Sequence, residues 1–181
     1  YHAFWQDGVS GFEFSQDGKW LYYKVSMDDG IEIWEFSPVS CVATRLINAV
    51  KDIESFKVLP DGTTIVYSVS KEKRENKTGY DLFRELNDRP TGYNSRRELF
   101  VADTKSGLTR QLTKAGDFDL NKWSVSPSGK QVLIVRNIPK NDRPYMKQEF
   151  WTCDLSTGVT KQILTRNLLE YPQNTTWIDE N

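Results

Sequence analysis

The chain has 181 residues, of which 38% are hydrophobic and 27% charged, as is typical of a globular protein rather than a disordered or membrane-spanning one. Twenty-four Lys and Arg residues against 25 Asp and Glu leave a net charge of −1, which excludes a bulk field that would attract nucleic acid or anionic lipid. The single histidine, His2, argues against a Ser-His-Asp triad or a histidine-rich metal site, and no apolar run is long enough for a membrane span. We therefore predict no metal and no cofactor.

A turn followed by an apolar run occurs three times and organises the chain. The turns are SQDGK at 15–19, LPDGT at 59–63 and SPSGK at 126–130, and each has an aromatic residue six positions before its glycine, namely Phe12, Phe56 and Trp123. In such turns the Asp or Ser bonds a nearby backbone amide, and the glycine accepts a positive φ. Each unit is therefore predicted to begin as strand, tight turn and strand.

Two further strands complete each unit. A third strand begins at a glutamate in every unit, over 32–37, 98–103 and 149–154, and a fourth ends in an aliphatic residue, over 44–46, 110–112 and 161–163. The spacing from that glutamate to that aliphatic residue is the same in all three units. Four short antiparallel strands per repeat are typical of a β-propeller blade.

The repeat predicts blades at 8–51, 52–116 and 117–168, with the start of a fourth at 172–181. The interval from Gly18 to Gly62 is 44 residues and that from Gly62 to Gly129 is 67, which indicates an insertion within 71–97 of the middle blade. Propellers close with about four to eight blades. We therefore expect an all-β propeller segment that is part of a larger ring, or a protomer that covers its open blade ends by self-association.

The repeat, with its D/S-G turn, an aromatic strand ending in Asp, a later S/T-G turn and a strand ending in Leu-Thr, resembles the TolB-type propeller repeat over about residues 10–179. The segment DRPTGYNSRRELFVAD at 88–103, after YDLFR at 80–84, resembles the connection between the second and third strands in propellers of the prolyl-oligopeptidase family. Acylaminoacyl-peptidase and dipeptidyl-peptidase IV relatives are the nearest comparison.

This resemblance implies a serine peptidase in which a non-catalytic propeller selects peptides for a separate α/β-hydrolase domain. The chain itself has no G-x-S-x-G nucleophile motif, since Gly8-Val9-Ser10-Gly11 lacks the final glycine and precedes a strand. The glutamate pair of dipeptidyl-peptidase IV relatives finds no match either. The alternatives are a TolB-like scaffold that binds a partner protein without any enzymatic activity and, third, a propeller enzyme acting on carbohydrate.

The middle-blade insertion holds the predicted peptide or partner site, because long connections in compact domains are often functional. Arginines there are suited to clamping a peptide carboxylate, and tyrosines to packing along a peptide. The candidate residues are Tyr80, Arg84, Glu85, Arg89, Tyr93 and Arg96. The alternative is a solvated loop whose first half, KEKRE at 71–75, is merely charged.

Other conspicuous residues have structural explanations. Trp34, Trp123 and Trp151 recur at repeat positions and are predicted to pack between blades, while Cys153 replaces apolar residues of its sibling blades and is expected to be a buried small hydrophobe. Asp28 and Asp29 lie where a hairpin turn is expected. The chain begins at Tyr1, which favours a processed or trimmed end, and the location is left open with an extracytoplasmic one slightly favoured.

Overall fold

The computed structural model describes residues 8–71, 96–113, 120–139, 146–166 and Trp177. These residues form three four-stranded antiparallel sheets in which consecutive strands are neighbours. The strands of the first sheet are β1 (Val9–Phe14), β2 (Leu21–Met27), β3 (Gly30–Ser37) and β4 (Val42–Val50). The second contains β5 (Ile53–Val58), β6 (Thr64–Lys71), β7 (Arg96–Asp103) and β8 (Thr109–Gln111), and the third β9 (Leu120–Val125), β10 (Gln131–Pro139), β11 (Met146–Asp154) and β12 (Thr160–Arg166).

This arrangement confirms the predicted all-β propeller segment of three blades. The blade boundaries and the fourth blade stay predictions, since Trp177 alone is described within 172–181. Its indole Nε1 donates to the backbone oxygen of Ser124 in β9 at 3.2 Å. In the same way Trp123 of β9 donates to Ser55 of β5 at 3.1 Å.

The three turns between first and second strands have one geometry. Gly18, Gly62 and Gly129 have φ values of 71, 69 and 71°, in the left-handed region that costs a glycine nothing. The amide of each glycine donates to the carbonyl three residues earlier at 2.9 Å. The side chain before the glycine, Asp17 in the first blade and Asp61 in the second, accepts the amide that follows the glycine at 3.1 and 2.9 Å.

The turns between third and fourth strands differ in the first blade. Gly107 and Gly158 have φ values of 71 and 75°, and the first blade places Cys41 there with a φ of 55°. The Cys41 amide donates to Ser37 O at 2.8 Å, just as Gly158 donates to Asp154 O at 2.8 Å. Cys41 is therefore a glycine position occupied by a residue with a Cβ.

Two apolar cores lie between the blades. Between the first and second, Tyr22 and Ile33 pack with Ile65 of the next sheet, which is completely buried. Between the second and third, Val66 packs with Val132, and both are also completely buried. Since side chains alternate across a strand, the sheet of the second blade contributes one face to each of the two cores.

The predicted packing between blades is found for two of the three repeating tryptophans. Trp123 and Trp151 pack against the core between the second and third blades, together with buried Cys153. Trp34 instead pairs with Tyr23 across the first sheet, and Tyr23 lies 6.3 Å, ring to ring, from the exposed Phe12. That face of the first sheet has no described blade over it.

Candidate functional site

The predicted site residues fall mostly outside the described residues. Tyr80, Arg84, Glu85, Arg89 and Tyr93 all lie within 72–95, so the predicted peptide site there stays a prediction. Arg96 is the first residue of β7, and it pairs with Lys71, the last residue of β6. The described structure thus fixes the two points at which the insertion leaves the blade and returns to it.

The insertion begins and ends on a regular β-ladder between β6 and β7, whose end at Lys71 and Arg96 we call the root of the insertion. Strands β6 and β7 pair without a register shift from Thr64 opposite Asp103 to Lys71 opposite Arg96. The corresponding strands of the first blade end at Met27 opposite Gly30, with only a two-residue turn between them. That confirms the hairpin interpretation of residues 28–29. It also means that the insertion extends a blade whose own strands keep their pairing.

Polar contacts join this root to the first blade. The Arg97 Nε lies 2.6 Å from Glu54 Oε2, which places the second residue of β7 against the second residue of β5. Lys24 of β2 donates its Nζ to the backbone oxygen of Glu54 at 2.6 Å. Because both contacts involve Glu54, the root is held against β5 of its own blade, and β5 is in turn held against β2 of the first blade. We call this end of the blades the insertion end.

A buried glutamate lies near the start of the third strand in each of the three blades. Glu32, Glu98 and Glu149 have relative exposures of 5, 2 and 8%. Glu32 accepts from Trp34 Nε1 and from Arg45 Nη1, each at 2.8 Å. In the sequence these glutamates occur at the same position of every repeat. A residue type that recurs in each blade in this way indicates a structural role.

Glu149 has the same kind of surroundings as Glu32. It accepts from Trp151 Nε1 at 3.1 Å, and Arg136 Nη1 lies 3.7 Å away. Since a buried carboxylate is costly without hydrogen bonds or a charge partner, these contacts explain how the blades tolerate it. The chemistry they provide is positioning of strands rather than reaction.

A crevice opens at the opposite end, where the turns 15–19, 59–63 and 126–130 lie; we call this the turn end. Its volume is about 840 Å³, and it is bounded mainly by the first and second blades. Its charged lining residues are Glu13, Asp17, Glu35, Lys57 and Asp61. Lys57 of β5 forms an ion pair with Glu13 of β1 across the two blades.

Partial burial shifts the pKa of two neighbouring side chains of the crevice, Glu35 and Tyr22. Desolvation raises the pKa of Glu35 above its usual range. Desolvation, followed by the negative charge of Glu35, also raises the pKa of Tyr22, which is opposite Glu35 in the strand pairing. Sequence reasoning missed this crevice, because it depends on how two blades meet.

No reactive or metal-binding centre stands out in the described ranges. Burial raises the pKa of the Cys153 thiol, in agreement with its predicted role as a small hydrophobe. Residues 8–71, 96–113, 120–139 and 146–166 contain no group of three or more His, Cys, Asp or Glu side chains suited to a metal ion. They also contain no helix long and apolar enough to cross a membrane.

Comparisons with known proteins find similarity at the level of structure. No protein-family model and no curated protein matches the sequence. TolB from Acinetobacter baumannii is 20% identical over 88% of this chain and 33% of its own, with a TM-score of 0.56. The acylaminoacyl peptidase of Pyrococcus horikoshii is 15% identical over 89% of this chain and 26% of its own, with a TM-score of 0.59.

A third solved structure is a peptidase propeller by itself. The β-propeller domain of the trilobed protease from Pyrococcus furiosus is 15% identical over 88% of this chain, with a TM-score of 0.54. This chain spans 42% of that domain structure, and only 33% and 26% of the TolB and acylaminoacyl peptidase chains. At such identities the similarity concerns the fold. The described residues therefore have the fold of part of a β-propeller, similar in structure to TolB, to the acylaminoacyl peptidase and to the trilobed protease propeller.

Proposed function

We propose that the chain is the non-catalytic propeller region of a serine peptidase and selects peptides for a separate α/β-hydrolase domain. The observation that supports this most is the root of the middle-blade insertion. The β6–β7 ladder stays in register to Lys71 opposite Arg96, so the connection 72–95 starts and ends on two strands that are hydrogen-bonded up to that point. A connection of that length on a fixed base is suited to controlling access at one end of a propeller.

The contacts at the root support the same proposal. The Arg97–Glu54 pair and the Lys24–Glu54 hydrogen bond hold the base of the insertion beside β5 and β2. Trp123 of β9 reaches Ser55, the next residue of β5, at 3.1 Å. The base of the insertion is therefore tied to β5, the first strand of its blade, and a gating segment requires such a fixed base.

The partners implied are a peptide substrate and a hydrolase domain of the same parent protein, with an extracytoplasmic location. The second candidate is a TolB-like scaffold that binds a partner protein and has no enzymatic activity. It is supported by the similarity of TolB, the most identical of the three solved structures described above. Self-association through the exposed face of the first blade, which carries Phe12 and Phe14, fits either function.

The test is to replace residues 72–95 by Asp-Asp, the two-residue turn of the first blade. Fluorescein-labelled eight-residue peptides of random sequence are titrated into the 181-residue chain and the variant, with binding followed by fluorescence anisotropy. The peptidase proposal predicts that the intact chain binds peptides and that the shortened chain loses most of this binding. Its far-UV circular dichroism stays that of a β protein, because the ladder up to Lys71 and Arg96 is retained.

The matched control is Arg97→Lys in the intact chain, which keeps a cation beside Glu54 and the full insertion. We expect this variant to bind peptides within about twofold of the original chain, since a half-exposed ion pair contributes about 1 kcal/mol or less and the substitution preserves its charges. Unchanged peptide binding after removal of 72–95 would contradict the gating role. It would leave the scaffold as the better account.

A further inference from the structure

The crevice at the turn end lies mainly between the first and second blades, and residues 125–127 of the third blade border it. Between the second and third, Pro60 Cδ lies 2.9 Å from the position a Cβ on Gly129 would take, so the two turns are in close contact. Gly62 is the equivalent of Gly129 for the first pair of blades, and nothing lies within 4 Å of its Cβ position. The same repeat thus closes one inter-blade junction and leaves the other open.

Arg110 closes the second junction further out. Its Nη2 donates to the backbone oxygens of Leu155 and Ser156 in the third blade, at 2.6 and 3.3 Å. Strand pairing places Arg110 opposite Val101, and the corresponding pair in the first blade is Thr44 opposite Glu35. The first blade therefore has a short neutral side chain where the second has a cation, and a carboxylate where the second has valine.

The third blade follows the second in this respect. The row of paired residues across it contains Ser124, Leu133, Thr152 and Lys161, and the row across the second contains Lys57, Val66, Val101 and Arg110. Each of these rows includes a cation on the fourth strand. The row of the first blade is Glu13, Tyr22, Glu35 and Thr44, which has two carboxylates and no cation.

Neighbours satisfy the other carboxylates of the crevice. Glu13 pairs with Lys57, and Asp17 lies 3.2 Å from Lys19 Nζ. Asp61 accepts the amides of Thr63 and Thr64 at 2.9 and 2.8 Å. Glu35 differs, because its carboxylate has no hydrogen bond and no ion pair with another described residue.

An aromatic side chain also lines this crevice. Trp20 is among the lining residues and has a relative exposure of 37%. An aromatic face near a carboxylate is a favourable environment for a cation with an apolar stem, because the ring and the carboxylate both attract the charge. An arginine or lysine side chain meets this description.

We propose that the crevice between the first and second blades, with Glu35 as its carboxylate and Trp20 at its rim, binds the arginine or lysine side chain of an extended peptide segment. A cation supplied by the peptide takes the place that Arg110 and Lys161 fill in the sibling blades. This deepens the proposed function, on which it rests for the class of ligand. It places a specificity subsite at the end of the blades opposite the insertion.

The test uses the peptides acetyl-Ala-Ala-Arg-Ala-Ala-amide and its Gln counterpart. They are titrated into the isotopically labelled 181-residue chain, and binding is followed by the NMR shifts of the Trp20 indole and the Tyr22 and Glu35 amides. We expect the Arg peptide to shift these signals and to bind at least threefold more tightly than the Gln peptide. Equal binding of both peptides, or shifts confined to the insertion end, would overturn the proposal.

Two variants with the same change of charge localise the effect. Glu35→Gln is expected to lower the affinity for the Arg peptide by about fivefold, because one half-exposed ion pair is lost. Asp29→Asn removes a carboxylate from the turn at the other end and leaves the affinity within about twofold. Equal losses in both variants would show a general attraction between charges and would contradict the subsite.

A third variant keeps the proposal testable if Glu35→Gln fails to fold. Trp20→Leu leaves every charge in place and is expected to weaken the Arg peptide by about two- to fivefold through loss of the cation–π contact. Binding unchanged in Trp20→Leu would count against the site. The chain with 72–95 replaced retains the crevice, so preserved Arg selectivity there, together with lost binding of random peptides, separates the subsite from the gating role.

Discussion

The turn at Cys41 gives the sharpest prediction about stability. Cys41 has a φ of 55° at a position where the sibling turns have Gly107 and Gly158, at 71 and 75°. A non-glycine residue in this left-handed region costs about 1–2 kcal/mol, mainly because its Cβ approaches the following carbonyl oxygen. Substituting Cys41→Gly removes that strain and keeps the amide bond to Ser37 O at 2.8 Å.

The expected gain is smaller than the strain removed. A glycine loses about 0.5–1 kcal/mol more conformational entropy on folding than a residue with a side chain. The Cys41 thiol is exposed and contributes only a weak contact with Pro38 O at 3.7 Å. We therefore expect Cys41→Gly to raise the free energy of unfolding by about 0.5–1 kcal/mol, or the Tm by about 1–4 °C for a chain of this size.

The assay is urea unfolding followed by tryptophan fluorescence, in reducing buffer so that no disulfide contributes. Cys41→Ala is the matched control, because it removes the thiol and keeps the Cβ. It is expected to leave the free energy of unfolding within about 0.5 kcal/mol of the original. A Cys41→Gly chain that is no more stable than Cys41→Ala would refute the strain argument.

Four further predictions, two of them with a control substitution, test the remaining parts of the fold. Ile65→Ala, at a fully buried position between the first two blades, should cost about 2–5 kcal/mol in urea unfolding, whereas Val39→Ala, at 90% exposure, should cost less than about 0.5. Gly129→Ala should destabilise more than Gly18→Ala, because both have a φ of 71° but only Gly129 has Pro60 at 2.9 Å from the added Cβ; equal losses would contradict the close contact. Arg110→Met should cost about 1 kcal/mol through its lost bonds to the third blade, and a neutral result would show that this bridge is not stabilising. Bonds from the Ser156 hydroxyl and the Thr157 amide lower the pKa of Asp154 from 3.8 to about 2, so its carboxylate stabilises the fold above pH 4 and ceases to do so as the pH falls through 2. Asp154→Asn should therefore lower the Tm more at pH 6 than near pH 2, and a Tm difference independent of pH would contradict this.

The hairpins could be predicted from sequence because their signals are local. Gly18, Gly62 and Gly129 each combine a glycine with a preceding Asp or Ser, and this chemistry alone determines the turn. The turn at Cys41 was missed for the same reason, since its geometry comes from the strands on either side and no glycine marks it. The structure also shows the glutamate partners, which the repeat does not fix: Arg45 follows Glu32 in β4, whereas Arg136 precedes Glu149 in β10.

The candidate sites were harder to predict. The insertion could be located by its length, and its root at Lys71 and Arg96 agrees with that location. The crevice depends on contacts between blades, because the same turn is covered at Gly129 and open at Gly62. Nothing in the local sequence of Glu35 distinguishes it from other charged strand residues until the rows of the three blades are aligned by their pairing.

The central claim is that these blades are the substrate-selecting region of a serine peptidase. The most direct test is to isolate the native product with an antibody against this chain, determine its intact mass, and read the open reading frame beyond Asn181. We predict further blades followed by a G-x-S-x-G segment with a later Asp and His, and labelling of that product by a fluorophosphonate probe. A frame that closes the propeller and then ends, with no labelled serine, would contradict the peptidase account and favour a binding scaffold.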